Sequence, residues 1–204
     1  MNVLNQWALP LSATLPLWVS LSWGMLASAC VLRGQWGQTR TRHLALVVFL
    51  LTAMPSLHVA GYFALAFQTP SLVAVVWALW RWRDALRPTT VREPLPAALV
   101  FVGVLLGWAL VLDTLNSWPL GFNPQLYAWG FEASALWSAI AVLMTVAVWS
   151  RTSVLWLLSA LTVLAVFSLT RWPTGNVWDA LLDPFVWVAL HVQLWQAWRA
   201  RRLA

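Results

Sequence analysis

Residues 94–113 read PLPAALVFVGVLLGWALVLD, twenty positions with a single charge, Asp113, at the last of them. A helix that crosses a bilayer needs about 20 predominantly apolar residues, so this stretch alone predicts a spanning helix. It is preceded by a basic stretch from Arg81 to Glu93 and followed by a segment, 116–131, rich in aromatic residues, Pro and Gly. The rest of the chain is built the same way. Of 204 residues, 61% are apolar and 9% are charged, where a soluble domain carries about a quarter charged residues. A water-solvated fold cannot bury that much apolar surface, which excludes disorder and nucleic-acid binding. The single cysteine, Cys30, lies in an apolar run, so an internal disulfide is excluded as well.

Further apolar runs predict spans at 8–32, 44–67, 71–80, 133–150, 152–170 and 184–198. The third lengthens if Arg81 and Arg83 snorkel to the surface. The resulting expectation is an all-α, polytopic transmembrane helix bundle of about seven spans, one domain over 1–204. All twelve cations are Arg, and they fix an orientation by the positive-inside rule. With the N-terminus outside and the C-terminus cytoplasmic, Arg33, Arg40, Arg42, Arg81, Arg83, Arg87, Arg92, Arg151, Arg199, Arg201 and Arg202 lie inside. Only Arg171 lies outside. The expected location is the inner (cytoplasmic) membrane.

Eighteen Trp residues mostly fall at predicted span ends, where amphipathic indoles favour the lipid–water boundary. Trp18, Trp23, Trp108, Trp137 and Trp187 fall deeper, and each needs an acceptor for its N–H. Ser20, Gly24 and Ser28, and separately Gly103 and Gly107, form close-packing faces of small residues. They suit contacts within the bundle or with a partner subunit.

Three constellations carry candidate chemistry. His58 lies in the second predicted span, three residues after Pro55, on one helical face with Met54, Gly61 and Tyr62. An ionisable residue at membrane depth is a functional candidate by default. His191 sits among Trp187, Trp195 and Trp198 on the last span. Together His58 and His191 are the candidates for a non-covalently held haem, chlorin or quinone, although no cofactor is expected outright, and no metal. Asp113, Glu132, Asp179 and Asp183 end three different helices on the external side. They are placed to do acid–base work or, in the case of Asp179 and Asp183, to cap a helix start.

Pro55-Ser56-Leu57-His58 resembles the central motif of the phosphatidic-acid phosphatase superfamily. Arg33 and Arg40 have the spacing of that family's first motif, without its Lys and Pro. The resemblance implies that His58 donates a proton to a leaving group. The family's downstream Ser-Arg…His…Asp pattern meets Thr170-Arg171, Val177 and Leu181 here, so its nucleophile has no counterpart and the chain is not placed in that family. Val177-Trp178-Asp179-Ala180 is similar to part of the external Trp-rich signature of haem-handling proteins of cytochrome c maturation, without the flanking histidines. A seven-helix bundle with an outer N-terminus resembles microbial rhodopsins, but a chain without Lys cannot form a retinal Schiff base.

The leading expectation is a non-catalytic integral subunit or scaffold of a larger membrane assembly, in contact with membrane lipids and other membrane subunits. The alternative is a membrane enzyme acting on a lipid-linked substrate at the outer face. It would use Asp113, Glu132, Asp179 and Asp183, with His58 as a further candidate.

Overall fold

The computed structural model describes residues 14–33, 38–87, 95–118, 124–149 and 154–203. Residues 8–13 of the first predicted span, and Trp7, Arg92, Glu93 and Arg151, lie outside them. Among the described residues the chain is all-α, with ten α-helices, one 3-10 turn and no strand. The helices are α1 (Leu15–Val31), α2 (Gln38–Ala53), α3 (Val59–Phe67), α4 (Leu72–Leu86), α5 (Ala97–Thr114), α6 (Leu126–Trp129), α7 (Ala133–Trp149), α8 (Val154–Thr170), α9 (Val177–Leu181) and α10 (Pro184–Leu203). One of them, α5, is both long and apolar enough to cross a membrane by itself, and α1, α7 and α8 are apolar helices of 17 residues.

Small residues set how the long helices meet. On α1, a Cβ added to Gly24 would stand 2.9 Å from the Cβ of Ala53 on α2, so that glycine lets the two helices approach closely. On α5, a Cβ at Gly103 would stand 2.6 Å from Leu190, and one at Gly107 would run into the Trp187 indole. Gly103 thus faces Leu190 while Gly107 faces Trp187, which makes α5 and α10 antiparallel. Both small-residue faces are spent on contacts within this chain. The main core lies where α8 passes α1, α4 and α7, around Trp18, Leu164, Phe167, Val177 and Trp178.

Among the described residues the bundle has two distinct ends, one with most of the carboxylates and one where Arg33 and Arg81 lie against Trp77. One end holds the start of α1 and α4, the end of α5, and α6, α9 and the start of α10. There Thr14 bonds Trp172, Ser71 bonds Asp183, and Asp113 bonds Tyr127. We call this the loop end. The opposite, arginine end joins the end of α1 to the end of α4 through Trp82 and Ser28, and α4 to α8 through Trp80 and Trp156.

Several expectations need correction. Residues 44–67 are not one helix. Pro55 has no N–H to donate to the Leu51 carbonyl and its ring crowds the preceding turn. The chain instead tightens into the 3-10 turn Pro55–Leu57, and His58 closes it with a left-handed φ of 53°. Helix resumes when Tyr62 N–H reaches His58 O at 3.1 Å. His58 is therefore the N-cap position of α3, exposed, and does not share a helical face with Met54, Gly61 and Tyr62. Helices α2 and α4 continue through Arg40, Arg42, Arg81 and Arg83, and α10 continues past Trp198 to Leu203. Both long connections contain helix, α6 in 116–131 and α9 in 171–183. Cys30 is exposed.

Candidate functional site

The four carboxylates all lie at the loop end, but they do not converge. Asp113, in the last turn of α5, accepts the backbone N–H of Tyr127 on Oδ2 at 2.7 Å and the Trp118 indole N–H on Oδ1 at 3.2 Å. This anchors α6 to the end of α5. Tyr127 then reaches across from α6 to α9, where its hydroxyl donates to Asp179 Oδ2 at 2.8 Å. The Thr174 hydroxyl donates to the same oxygen at 2.5 Å. Burial first, and then the charge and hydrogen bond of Asp179, push the Tyr127 hydroxyl well above the ordinary tyrosine range, so it stays protonated and stays a donor.

Asn176 completes the join between the two connections. Its Oδ1 caps α9 by accepting Trp178 N–H at 2.9 Å, and its Nδ2 donates to Tyr127 O at 2.8 Å. Trp178 Nε1 donates to Leu126 O at 2.8 Å, and Val177 N–H to Gly130 O at 2.9 Å. Gly130 is needed for the close approach, because a Cβ there would collide with Asn176 and Trp178. The loops form a tied lid rather than a cleft.

Glu132 is set apart. It is exposed, and among the described residues its Oε2 accepts only the Ser134 hydroxyl, at 3.1 Å, while Ser134 takes the Trp129 indole N–H at 2.7 Å. Asp183 is buried. Its Oδ1 accepts Val186 N–H at 2.7 Å and so caps α10, with Pro184 at the first helical position. Its Oδ2 accepts Ser71 N–H at 2.7 Å, where Ser71 is itself the cap of α4 through Ala74 N–H. One carboxylate thus sits between two helix N-termini, where its negative charge suits both dipoles. Among the described residues no three His, Cys, Asp or Glu side chains gather as a metal site.

The two histidines also part company. His191 has both ring nitrogens engaged. Trp108 Nε1 can only donate, so His191 Nε2 accepts from it at 3.2 Å; a carbonyl can only accept, so Nδ1 donates to Trp187 O at 2.9 Å. The ring is a neutral Nδ1–H tautomer held edge-on to Trp187 at 4.8 Å. A haem or chlorin iron would have to displace Trp108 to reach it. His58 lies on the surface of a different helix pair and does not approach His191 or any of the four carboxylates through a hydrogen bond.

Of the deep tryptophans, Trp23 donates to Gln68 O at 3.1 Å and Trp187 to Val104 O at 3.4 Å. Trp18 stacks on Trp172 at 4.8 Å, with its N–H buried and without an acceptor among the described residues, while Trp137 is exposed. An apolar groove of about 430 Å³ lies beside the lid, between Ala66–Gln68 and Pro184, Phe185 and Val188.

Ser71, Tyr127, Thr174 and Asn176 escaped the sequence reading. Ser71 and Asn176 did carry a signal, a capping residue directly before an apolar helical run. Tyr127 carried none, since its partner Asp179 lies 52 positions away, and Thr174 carried none although it lies five positions before Asp179. No protein-family model matches this chain, and comparison with curated proteins and with solved structures finds no match.

Proposed function

We propose that the chain is a non-catalytic integral subunit or scaffold of a larger inner-membrane assembly. In this reading α1, α2 with α3, α4, α5, α7, α8 and α10 are the seven spans, the loop end is external and the arginine end cytoplasmic. The observation that carries it is the outward surface of the helices. Leu65, Val148, Val154 and Leu169 are 86%, 77%, 72% and 81% exposed, and 22 other large apolar side chains among the described residues of α2, α3, α5, α7, α8 and α10 face outward with them. Soluble monomers rarely expose contiguous apolar patches beyond a few hundred Å². Lipid and partner helices are the solvents that suit such faces.

The carboxylates support the non-catalytic part. Asp113, Asp179 and Asp183 each accept two hydrogen bonds, one local and one from a separate segment of the chain. A general base must instead turn a lone pair toward substrate. The test is photocrosslinking from Leu65 and Leu169 in the native membrane, followed by mild-detergent purification, mass spectrometry and an absorption spectrum. A stoichiometric membrane protein crosslinked at those positions is expected, with Asp113→Asn and Glu132→Gln leaving it in place. Crosslinks to lipid alone, together with turnover of a lipid-linked substrate that those two changes abolish, would establish the enzyme instead.

A further inference from the structure

The Pro55–His58 turn interrupts a helix partway through the bundle. A Cβ added to Gly24 would stand 2.9 Å from the Cβ of Ala53, which puts the end of α2 level with Gly24. That glycine lies nine residues after Leu15 and seven before Val31 on α1, so the nearer end of α1 is about 10 Å away. Pro55 has no N–H, while Leu57 N–H turns to Met54 O and His58 N–H to Pro55 O. Among the described residues the carbonyls of Leu51, Thr52 and Ala53 accept no hydrogen bond, and the amides of Ser56, Val59, Ala60 and Gly61 donate none. The Ser56 hydroxyl and the His58 ring have no hydrogen-bond partner among them either. All five residues from Met54 to His58 are exposed.

Gly61, just past the turn, adds a second observation. Gly24, Gly103 and Gly107 each face a side chain of this chain, whereas a Cβ at Gly61 would meet nothing within 4 Å. Tyr62 and Leu65, beside it on the outer side of α3, are exposed. Hydrocarbon offers nothing to free backbone groups, so irregular backbone at membrane depth must be covered by protein or line water. A regular helix from another protein spends its N–H groups on its own carbonyls and offers side chains only. A second Pro55–His58 turn offers amides, a hydroxyl and an imidazole to the open carbonyls, and open carbonyls in return. Copies of a membrane protein share one orientation, so a twofold axis along the bilayer normal brings equal depths together, and this patch is complementary to itself.

We propose that this edge is the interface of a homodimer, in which the Pro55–His58 turns of two copies face each other and Gly61 lets the two α3 helices approach closely. The inference rests on the membrane reading above and gives one of its outward faces a definite occupant, a second copy of this chain.

The experiment uses the full chain in its native membrane, with the exposed Cys30 replaced by Ser and one new cysteine added. Oxidation should couple Ser56→Cys into a covalent dimer of this chain, while Leu169→Cys, on α8, stays monomeric. Förster transfer between labelled copies in liposomes should show Gly61→Leu weakening self-association about tenfold and His58→Leu about threefold, with far-ultraviolet circular dichroism unchanged. Coupling of Ser56→Cys to a different membrane protein, or its alkylation by a water-borne maleimide without dimer, overturns the homodimer while leaving the membrane reading intact. Equal coupling from both cysteines, or none from either, overturns it too. Release of the chain by carbonate would sink the membrane reading itself, and this inference with it.

Discussion

Asp183 offers the sharpest quantitative test of how the bundle is held. Its carboxylate accepts Ser71 N–H and Val186 N–H, both at 2.7 Å, in a buried setting. Asp183→Ala removes the cap of α10, at a cost of about 1 kcal/mol. It also strands the Ser71 amide without an acceptor, at a cost of about 1–3 kcal/mol. The sum is about 3 kcal/mol. For a chain of this length each kcal/mol lowers Tm by roughly 2–4 °C, so the loss should be about 6–12 °C. Asp183→Asn keeps one carbonyl oxygen and should lose about half as much. Thermal unfolding in mild detergent, followed by near-ultraviolet circular dichroism, reads both variants, and hydrogen exchange at Ser71 locates the effect. If Asp183→Ala melts within about 2 °C of the parent and Ser71 exchange is unchanged, the double-cap reasoning is wrong.

Other expectations follow from single contacts. Gly107→Leu should push α5 from the Trp187 indole and cost about 1–3 kcal/mol by overpacking. Gly61→Ala, where an added Cβ meets nothing within 4 Å, should be neutral or stabilising in the same melt. Tyr127 is held protonated in the folded state above the ordinary tyrosine value. Its contribution is complete below about pH 10, where the unfolded hydroxyl also keeps its proton, and fades above that as only the unfolded form ionises. Alkaline difference absorbance should show one of the two tyrosines titrating late, and Tyr127→Phe should remove that late step and flatten the stability loss above pH 10. In nitrogen NMR, His191 should appear as the neutral Nδ1–H tautomer. An imidazolium or Nε2–H signal would contradict its bonds to Trp108 and Trp187.

The helices were legible because apolar runs of the right length admit little else: α7 and α8 fall within the expected segments, and α5 passes the end of its own by one residue. The break at Pro55 was not, since a proline inside an apolar run commonly kinks a helix without ending it. What ends it is the extended backbone of Met54 before Pro55, and the left-handed turn at His58 then sets the start of α3, a conformation that sequence does not announce for His. The candidate site was legible only as a list of carboxylates near helix ends. Their partners are set by tertiary register. Ser71 lies 112 positions from Asp183, Tyr127 lies 52 from Asp179, and Trp108 lies 83 from His191. No local pattern specifies pairings over such separations. The small faces at Gly24, Gly103 and Gly107 were legible as close-packing surfaces, and the structure assigns them to helices of the same chain.

The proposed orientation, with the carboxylates outside and the arginines inside, is tested most directly by paired reporter fusions. Alkaline phosphatase and a cytoplasm-active fluorescent protein would each be fused after Ser117, at the loop end, and after Leu203, at the close of α10. Alkaline phosphatase activity after Ser117 and fluorescence after Leu203 are expected, in protein that fractionates with the inner membrane and resists carbonate extraction. The same side reported for both positions, or release of the chain by carbonate, would contradict the seven-span membrane bundle.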